Sequence, residues 1–281
     1  MFRFRMVGFV LLLGILGGIF FWEAGGFWLF MAVAPALCAA AVGECCLMLD
    51  RSGRSALPLP AALLSWLVMV TMLLTCRYPG WKPVAASMLT TLIFLVTVGA
   101  LAGMLAMRPK FMEALFTSLG VTGLLTLPLL MFLMTELVEP AGYWLLFLCL
   151  VTKATDTGGY IVGMLTAKLP GGNHKIAKVI SPKKSWEGLA GGFLLSLAVA
   201  WAFSRFGKVE MPLTWALFVG AVLSIGSFFG DLSESALKRM CGVKDSGGFV
   251  PGMGGAFDVL DSFLYNGMLF WWLYGMRVWF L

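Results

Sequence analysis

An all-α, polytopic transmembrane protein of about nine helical spans with a cytoplasmic N-terminus is the fold class this sequence predicts. Three observations predict it. Mean hydropathy is +0.93, with 60% hydrophobic and only 12% charged residues, against about 25% charged in soluble domains. Such a chain could not cover its own surface in water. The apolar residues fall in runs of about the 20 residues that cross a bilayer. Lys and Arg gather in alternate short loops, the bias that orients membrane proteins.

In chain order the apolar runs are 6–22, 27–49, 57–76, 84–107, 114–138, 141–167, 188–206, 213–231 and 258–280. The first has the length of a signal peptide. A second run follows almost at once with no clean cleavage site between, so a retained helix is expected. No internal repeat or low-complexity tract interrupts the series. The expected organisation is an N-terminal transmembrane scaffold over 1–140 and a chemistry-bearing transmembrane region over 141–281, in one continuous membrane domain.

With the N-terminus inside, Arg3, Arg5, Arg51, Arg54, Arg108, Lys110, Lys168, Lys175, Lys178, Lys183, Lys184, Lys238, Arg239 and Lys244 fall on the cytoplasmic side. Only Arg77, Lys82, Arg205, Lys208 and Arg277 fall outside. Lys153 lies within a span. The net charge of +6 is thus spread among loops, which argues against a nucleic-acid partner. The six cysteines include no C-x-x-C, so neither a disulfide framework nor a zinc site is expected. The lone histidine, His174, has no ligand cluster in the sequence around it.

Two polar stretches, 153–188 and 230–262, break the apolar pattern and would both face the cytoplasm. They hold Asp156, Glu187, Asp231, Glu234, Asp245, Asp258 and Asp261, half of the fourteen carboxylates. Ionisable groups within or at the ends of spans are costly and usually face a cavity or a partner. In the first stretch, Lys153 and Asp156 share a helix face and could pair. Gly158-Gly159 permits close backbone approach. Ser181-Pro-Lys183-Lys184-Ser-Trp-Glu-Gly188 then offers hydroxyls, ammonium groups and a helix start, a set suited to phosphate. A basic loop obeying the positive-inside rule accounts for that composition equally well.

In the second stretch, Asp231, Glu234 and Lys238 fall on one helical face. A Gly-rich loop leads to Asp258 and Asp261, one turn apart on the last span. Carboxylates converging from two helix ends suit Mg²⁺, a hard cation that takes oxygen ligands beside substrate phosphates. Glu44, within the second span, has no explanation from composition beyond a place near the cytoplasmic mouth or a helix cap. Trp271, Trp272, Tyr274 and Trp279 read as an interfacial belt.

At these residues the chain resembles the phosphatidate cytidylyltransferases (CDP-diacylglycerol synthases). The matching elements are Asp156-Thr-Gly-Gly-Tyr160, Ser181-Pro-x-Lys-x-Trp-x-Gly188, Gly230-Asp-Leu-x-Glu-Ser235, and the C-terminal signature. The signature runs Ser235-x-x-Lys238-Arg239, four residues, Lys244-Asp245, the Gly/Pro loop, Gly254-Gly255, then Asp258-x-x-Asp261-Ser262. The N-terminal half matches only as hydrophobic spans. Two positions depart from the family pattern: Met253 stands where the family has His, and Val259 where it has Arg.

The resemblance implies transfer of CMP from CTP to phosphatidate, giving CDP-diacylglycerol and pyrophosphate. It would occur in a bacterial-type inner membrane, with the lipid taken from the inner leaflet and the site open to the cytoplasm. It implies Mg²⁺ at Asp231, Asp258 and Asp261, with or without a second cation, and Asp156 and Asp245 as further acidic candidates. Ser181, Lys183 and Lys184 would hold the CTP phosphates. Lys238, Arg239 and Lys244 would hold pyrophosphate or the lipid phosphate. A homodimer is compatible with the family. The alternatives are a CTP-dependent lipid kinase of the dolichol kinase type, a secondary transporter using Lys153 and Asp156, and a chain that binds without catalysing because of Met253 and Val259.

Overall fold

The computed structural model describes residues 14, 17–19, 22, 25–135, 142–249 and 254–276. These form helices α1 (Gly26–Arg51), α2 (Pro58–Arg77), α3 (Lys82–Leu105), α4 (Pro109–Met134), α5 (Tyr143–Thr166), α6 (Trp186–Phe206), α7 (Leu213–Met240) and α8 (Ala256–Met276). Each coincides with an expected apolar run. The first expected span, 6–22, lies almost wholly outside the described residues. Helices α1 to α7 are long and apolar enough to cross a membrane. Helix α8 has the length, but Asp258, Asp261, Asn266 and its tryptophans lower its hydropathy. The chain is an all-α, multi-pass membrane protein.

One connection departs from the all-helical expectation. Between α5 and α6, strands β1 (Lys175–Ala177) and β2 (Ser181–Ser185) form an antiparallel ribbon, with Lys175 opposite Ser185 and Ala177 opposite Ser181. The ribbon is tied to α6 by Glu187, whose carboxylate accepts from the His174 backbone N–H and contacts Nδ1 at 2.6 Å. Ser185 ends β2 and caps α6, its hydroxyl accepting from Gly188 N–H at 3.1 Å.

The helices cluster in two compact units, Met1–Leu127 with Cys241–Leu260, and Pro128–Met240 with Asp261–Leu281. The Gly-rich segment after α7 is bonded to α1.

In the first unit, α1 and α2 pack with Gly43 against Ala62. Helix α4 joins them through Leu57 N–H to Ser118 Oγ at 2.7 Å and Thr126 to Ser65 at 2.9 Å. Helix α3 buries only Ala85 and Gly103, as expected of a helix whose solvent is lipid. Glu44 on α1 accepts from Ser246 Oγ at 2.9 Å and from Phe257 N–H, on the first turn of α8, at 3.1 Å. Its carboxylate fills the space that side chains at Gly247 and Gly255 would need. This explains Glu44, and it explains why the loop carries glycine there.

In the second unit, α5 crosses α6 with backbones nearly touching. A Cβ at Gly158 would stand 2.6 Å from the Gly191 carbonyl oxygen and 3.0 Å from Gly192 Cα. One at Gly188 would stand 2.9 Å from the Gly159 carbonyl. Small residues permit this approach, which drives helix association where lipid removes the hydrophobic effect. Ser196 Oγ donates to the Gly220 carbonyl at 2.9 Å and joins α6 to α7. An aromatic cluster of Trp144, Phe147, Phe203, Trp215, Phe270 and Tyr274 locks α5 to α8 together at one end. Tyr274 is therefore half-buried within this cluster, whereas Trp272 is exposed.

Two outcomes follow from these contacts. Gly158→Ala should lower the thermal midpoint of the detergent-purified protein, a loss of about 1–3 kcal/mol from overpacking. Gly99→Ala on α3, where a Cβ meets nothing within 4 Å, should not; equal midpoints would remove the crossing from any special role. Glu44→Ala strips the acceptor from Ser246 and Phe257, about 1–3 kcal/mol for each buried group. Limited proteolysis should then cut within 244–249 faster than in wild type, and an unchanged digestion rate would count against the pin.

Candidate active site

The second polar expectation begins with Asp231. A helix is expected to continue past the span at 213–231, and α7 does so, running to Met240. Gly230 lets α8 approach: a Cβ there would stand 2.5 Å from the Asp261 carbonyl oxygen and 3.1 Å from Ser262 Cα. The next residue on α7, Asp231, is thereby held beside the second turn of α8.

Three carboxylates of the second unit meet in this region. Asp156, Asp231 and Asp261 lie within Coulombic reach of one another and of Lys153. Asp156 Oδ1 accepts from Ser227 Oγ at 3.1 Å, and Oδ2 accepts from Lys153 Nζ at 3.0 Å and Ser262 Oγ at 3.2 Å. Lys153 Nζ also donates to Ser262 Oγ at 3.0 Å and stands 4.8 Å from the centre of the Phe263 ring. Asp261 Oδ1 accepts from Ser262 N–H at 2.6 Å. Asp231 Oδ2 faces Lys184 Nζ at 3.5 Å, and Lys184 also reaches the Phe228 carbonyl at 3.3 Å and its ring at 4.8 Å.

Asp156 and Asp231 open onto a cavity of about 200 Å³, whose other walls include Lys183, Lys184, Ser185, Gly188 and Gly192. The first turn of α6 forms one wall, with glycine backbone on either side. A helix start with nearby ammonium groups attracts anions, and glycine lets a ligand oxygen come close to the main chain. The opposite wall is acidic. The cavity therefore joins a phosphate-type surface to a cation-type surface.

Of the expected residues, Asp156, Asp231, Asp261, Lys183 and Lys184 are brought together here. Ser181 opens β2 and pairs with Ala177, and it is not among the residues lining the cavity. Lys238 makes a close ion pair with the buried carboxylate of Glu234 one turn away, so its charge is directed along α7. Arg239 is exposed at the end of α7.

Asp258, Lys244 and Asp245 belong to the first unit. Asp258 accepts from Gly255 N–H at 2.8 Å and Ser246 N–H at 3.2 Å. Bonding between a third-position carboxylate and the N-cap backbone is half of a capping box, so Asp258 serves the start of α8. Gly254 has φ of +105°, and a Cβ there would run into the Asp258 carboxylate, so the position is closed to other residues. Lys244 and Asp245 are exposed. Met253 lies outside the described residues, and Val259 follows Asp258 on α8.

Carboxylate oxygens are the donors Mg²⁺ prefers, so the chemistry of Asp156, Asp231 and Asp261 fits that ion. Among the described residues, however, no group of three or more His, Cys, Asp or Glu forms a ready-made cage. Mg²⁺ is commonly bound by one or two carboxylates together with substrate phosphates. Sequence reasoning missed Ser227. The signal for it was the polar spacing Ser227, Asp231, Glu234, Lys238 along α7, which continues the charged face one turn into the apolar span.

Curated relatives are similar to part of the chain. A phosphatidate cytidylyltransferase of Staphylococcus epidermidis is 44% identical over 122 residues, covering 43% of this chain and 45% of the relative. One of Staphylococcus saprophyticus is 43% identical over 123 residues, covering 44% and 45%. One of Bacillus subtilis is 40% identical over 122 residues, covering 43% and 44%. The chain spans less than half the length of these relatives. The sequence pattern of the cytidylyltransferase family, by contrast, matches residues 3–276, which takes in both polar stretches and every helix from α1 to α8; the chain belongs to the cytidylyltransferase family.

Proposed function

We propose that the chain is a phosphatidate cytidylyltransferase, converting CTP and phosphatidate to CDP-diacylglycerol and pyrophosphate. The observation that carries this reading is the cavity where Asp156 and Asp231 face Lys183, Lys184 and the first turn of α6. Membership of the cytidylyltransferase family supplies the nucleotide, and the names of the relatives supply the lipid.

A phosphate oxygen of phosphatidate attacks the α-phosphorus of CTP. The new P–O bond forms as the α–β bridging bond breaks, and pyrophosphate leaves with the bonding electrons. A phosphomonoester is already anionic near neutral pH, so the site needs no strong base. Catalysis rests on alignment and on neutralising charge. Lys183 and Lys184 receive the nucleotide phosphates. Asp231 and Asp261, with Asp156 beside them, would hold Mg²⁺. That ion, when bound, draws negative charge from the departing pyrophosphate. Ser227, Ser262 and Lys153 keep Asp156 oriented.

The protein would lie in a bacterial-type inner membrane with the cavity facing the cytoplasm, as the Lys and Arg distribution supports. CTP then enters from water and the lipid from the inner leaflet.

Purified protein given CTP, Mg²⁺ and phosphatidate should release pyrophosphate and form CDP-diacylglycerol. Release of CDP would instead mark a lipid kinase, and no turnover with liposome uptake a transporter. Asp231→Asn should lower turnover at least about 100-fold, on the scale of losing one transition-state electrostatic contact; wild-type turnover would remove Asp231 from the site. For orientation, Lys178→Cys in a chain cleared of native cysteines should react with a membrane-impermeant maleimide in inside-out vesicles only. Reaction in intact cells would invert the topology.

A further inference from the structure

Between Asp156 and Glu187 the chain carries five lysines, Lys168, Lys175, Lys178, Lys183 and Lys184, and no Asp or Glu. The β-ribbon divides them. Lys183 and Lys184, on β2, line the cavity of Asp156 and Asp231. Lys175, on β1, and Lys178, in the turn, line a second cavity of about 650 Å³ with Asn173, His174 and Trp186. The reaction above uses none of these five residues.

The place of the ribbon decides what this second cavity meets. The ribbon joins the end of α5 to the start of α6, both long and apolar enough to cross a membrane. It therefore lies where bilayer meets water. Trp186, the first residue of α6, is 58% exposed, and tryptophan gathers at that level. Val179, in the ribbon turn, is 88% exposed. At the headgroup boundary such apolar groups face acyl chains, while ammonium groups stay with the phosphates. Glu187, the carboxylate beside Trp186, is engaged by the His174 backbone N–H and ring. Asn173 donates to the Gly163 carbonyl at 2.9 Å and ties the cavity wall to α5. The positive-inside rule accounts for the lysines, but not for a hollow beside an exposed tryptophan and valine. A soluble anion gains nothing from those apolar groups, and a phospholipid does.

We propose that the cavity of Asn173, His174, Lys175, Lys178 and Trp186 binds the phosphate of an anionic phospholipid, separately from the site of reaction. Lys175 and Lys178 meet the phosphate, with Trp186 and Val179 at the acyl boundary. Lys175 lies opposite Ser185 in the ribbon, and Ser185 lines the first cavity beside Lys183 and Lys184. A headgroup held on β1 thus steadies the strand that carries the two nucleotide lysines. That consequence rests on the cytidylyltransferase reading; the binding does not.

The test is native mass spectrometry of the full chain, delipidated in detergent and titrated with phosphatidylglycerol or phosphatidylcholine. Phosphatidylglycerol has no phosphomonoester, so it cannot serve as the reacting lipid. Wild type should prefer it at least about fivefold, the worth of one lysine near an anionic surface. Lys175→Gln combined with Lys178→Gln should lose that preference, and the paired Arg variants should keep it. Arg108→Gln with Lys110→Gln, an equal charge loss at other exposed positions, should also keep it. Equal loss in both Gln pairs would mark diffuse attraction and overturn the site. Displacement of the lipid by CTP would assign the cavity to the nucleotide, and glycerol 3-phosphate binding as tightly as the lipid would assign it to a soluble anion; either overturns it. In phosphatidylcholine nanodiscs, added phosphatidylglycerol should lower the wild-type KM for CTP about fivefold, the low end of coupling between two sites, with kcat unchanged. The Lys175→Gln, Lys178→Gln protein should show no such shift. An unmoved wild-type KM would overturn the coupling to Lys183 and Lys184. Absence of any wild-type turnover would sink the activity reading, and the lipid titration would still decide the site.

Discussion

Asp156, Asp231 and Asp261 stand on helices whose remaining faces are apolar, and ionised carboxylates in such surroundings persist only with compensating charge and hydrogen bonds. Much of the second unit is organised around meeting that demand. Lys153 and Lys184 bring opposite charge, and Ser227 and Ser262 bring hydroxyl donors. Because these partners come from α5, β2, α7 and α8, satisfying the carboxylates also fixes the register of those elements. The aromatic cluster around Trp144 and Trp215 fixes the other end of the same helices by packing. One end is ordered by charge and the other by shape.

The crossing of α5 and α6 has a related logic. Gly158, Gly188, Gly191 and Gly192 remove the side chains that would hold the two helices apart. Two of them, Gly188 and Gly192, also line the cavity that Lys183 and Lys184 line. A helix contact suited to lipid and a surface suited to phosphate thus share Gly188 and Gly192. In the first unit the relation is similar but the ligand is internal. Glu44 and Asp258 put their carboxylates where side chains of the Gly-rich loop would be, and the loop folds its backbone N–H groups onto Asp258. The glycines there accommodate the protein's own carboxylates.

Much of the architecture was legible in the sequence. Eight apolar runs match eight helices, and the two polar stretches contain the carboxylates and lysines that line or adjoin the cavity. The family pattern was legible because motifs are ordered along the chain. What was not legible were the pairings. Lys238, expected to receive a phosphate, is turned to Glu234. Asp258 accepts from the backbone N–H groups of Ser246 and Gly255 in the loop before it. The basic loop holding Ser181 to Lys184 is a β-ribbon, and which of its lysines reaches Asp231 depends on strand alternation.

By itself, the sequence determined which segments leave water, which residues carry the chemistry, and in what order they occur. Hydropathy and motif spacing are local quantities, readable over one span at a time. The tertiary structure alone decided the partners: Ser227 for Asp156, 71 positions away; Ser262 for Asp156, 106 away; and Glu44 for Ser246, 202 away. The physical reason is that a polar group in an apolar solvent must find whichever donor or acceptor packing brings near. Which one that is depends on helix crossings, and so on where glycine lets two backbones meet.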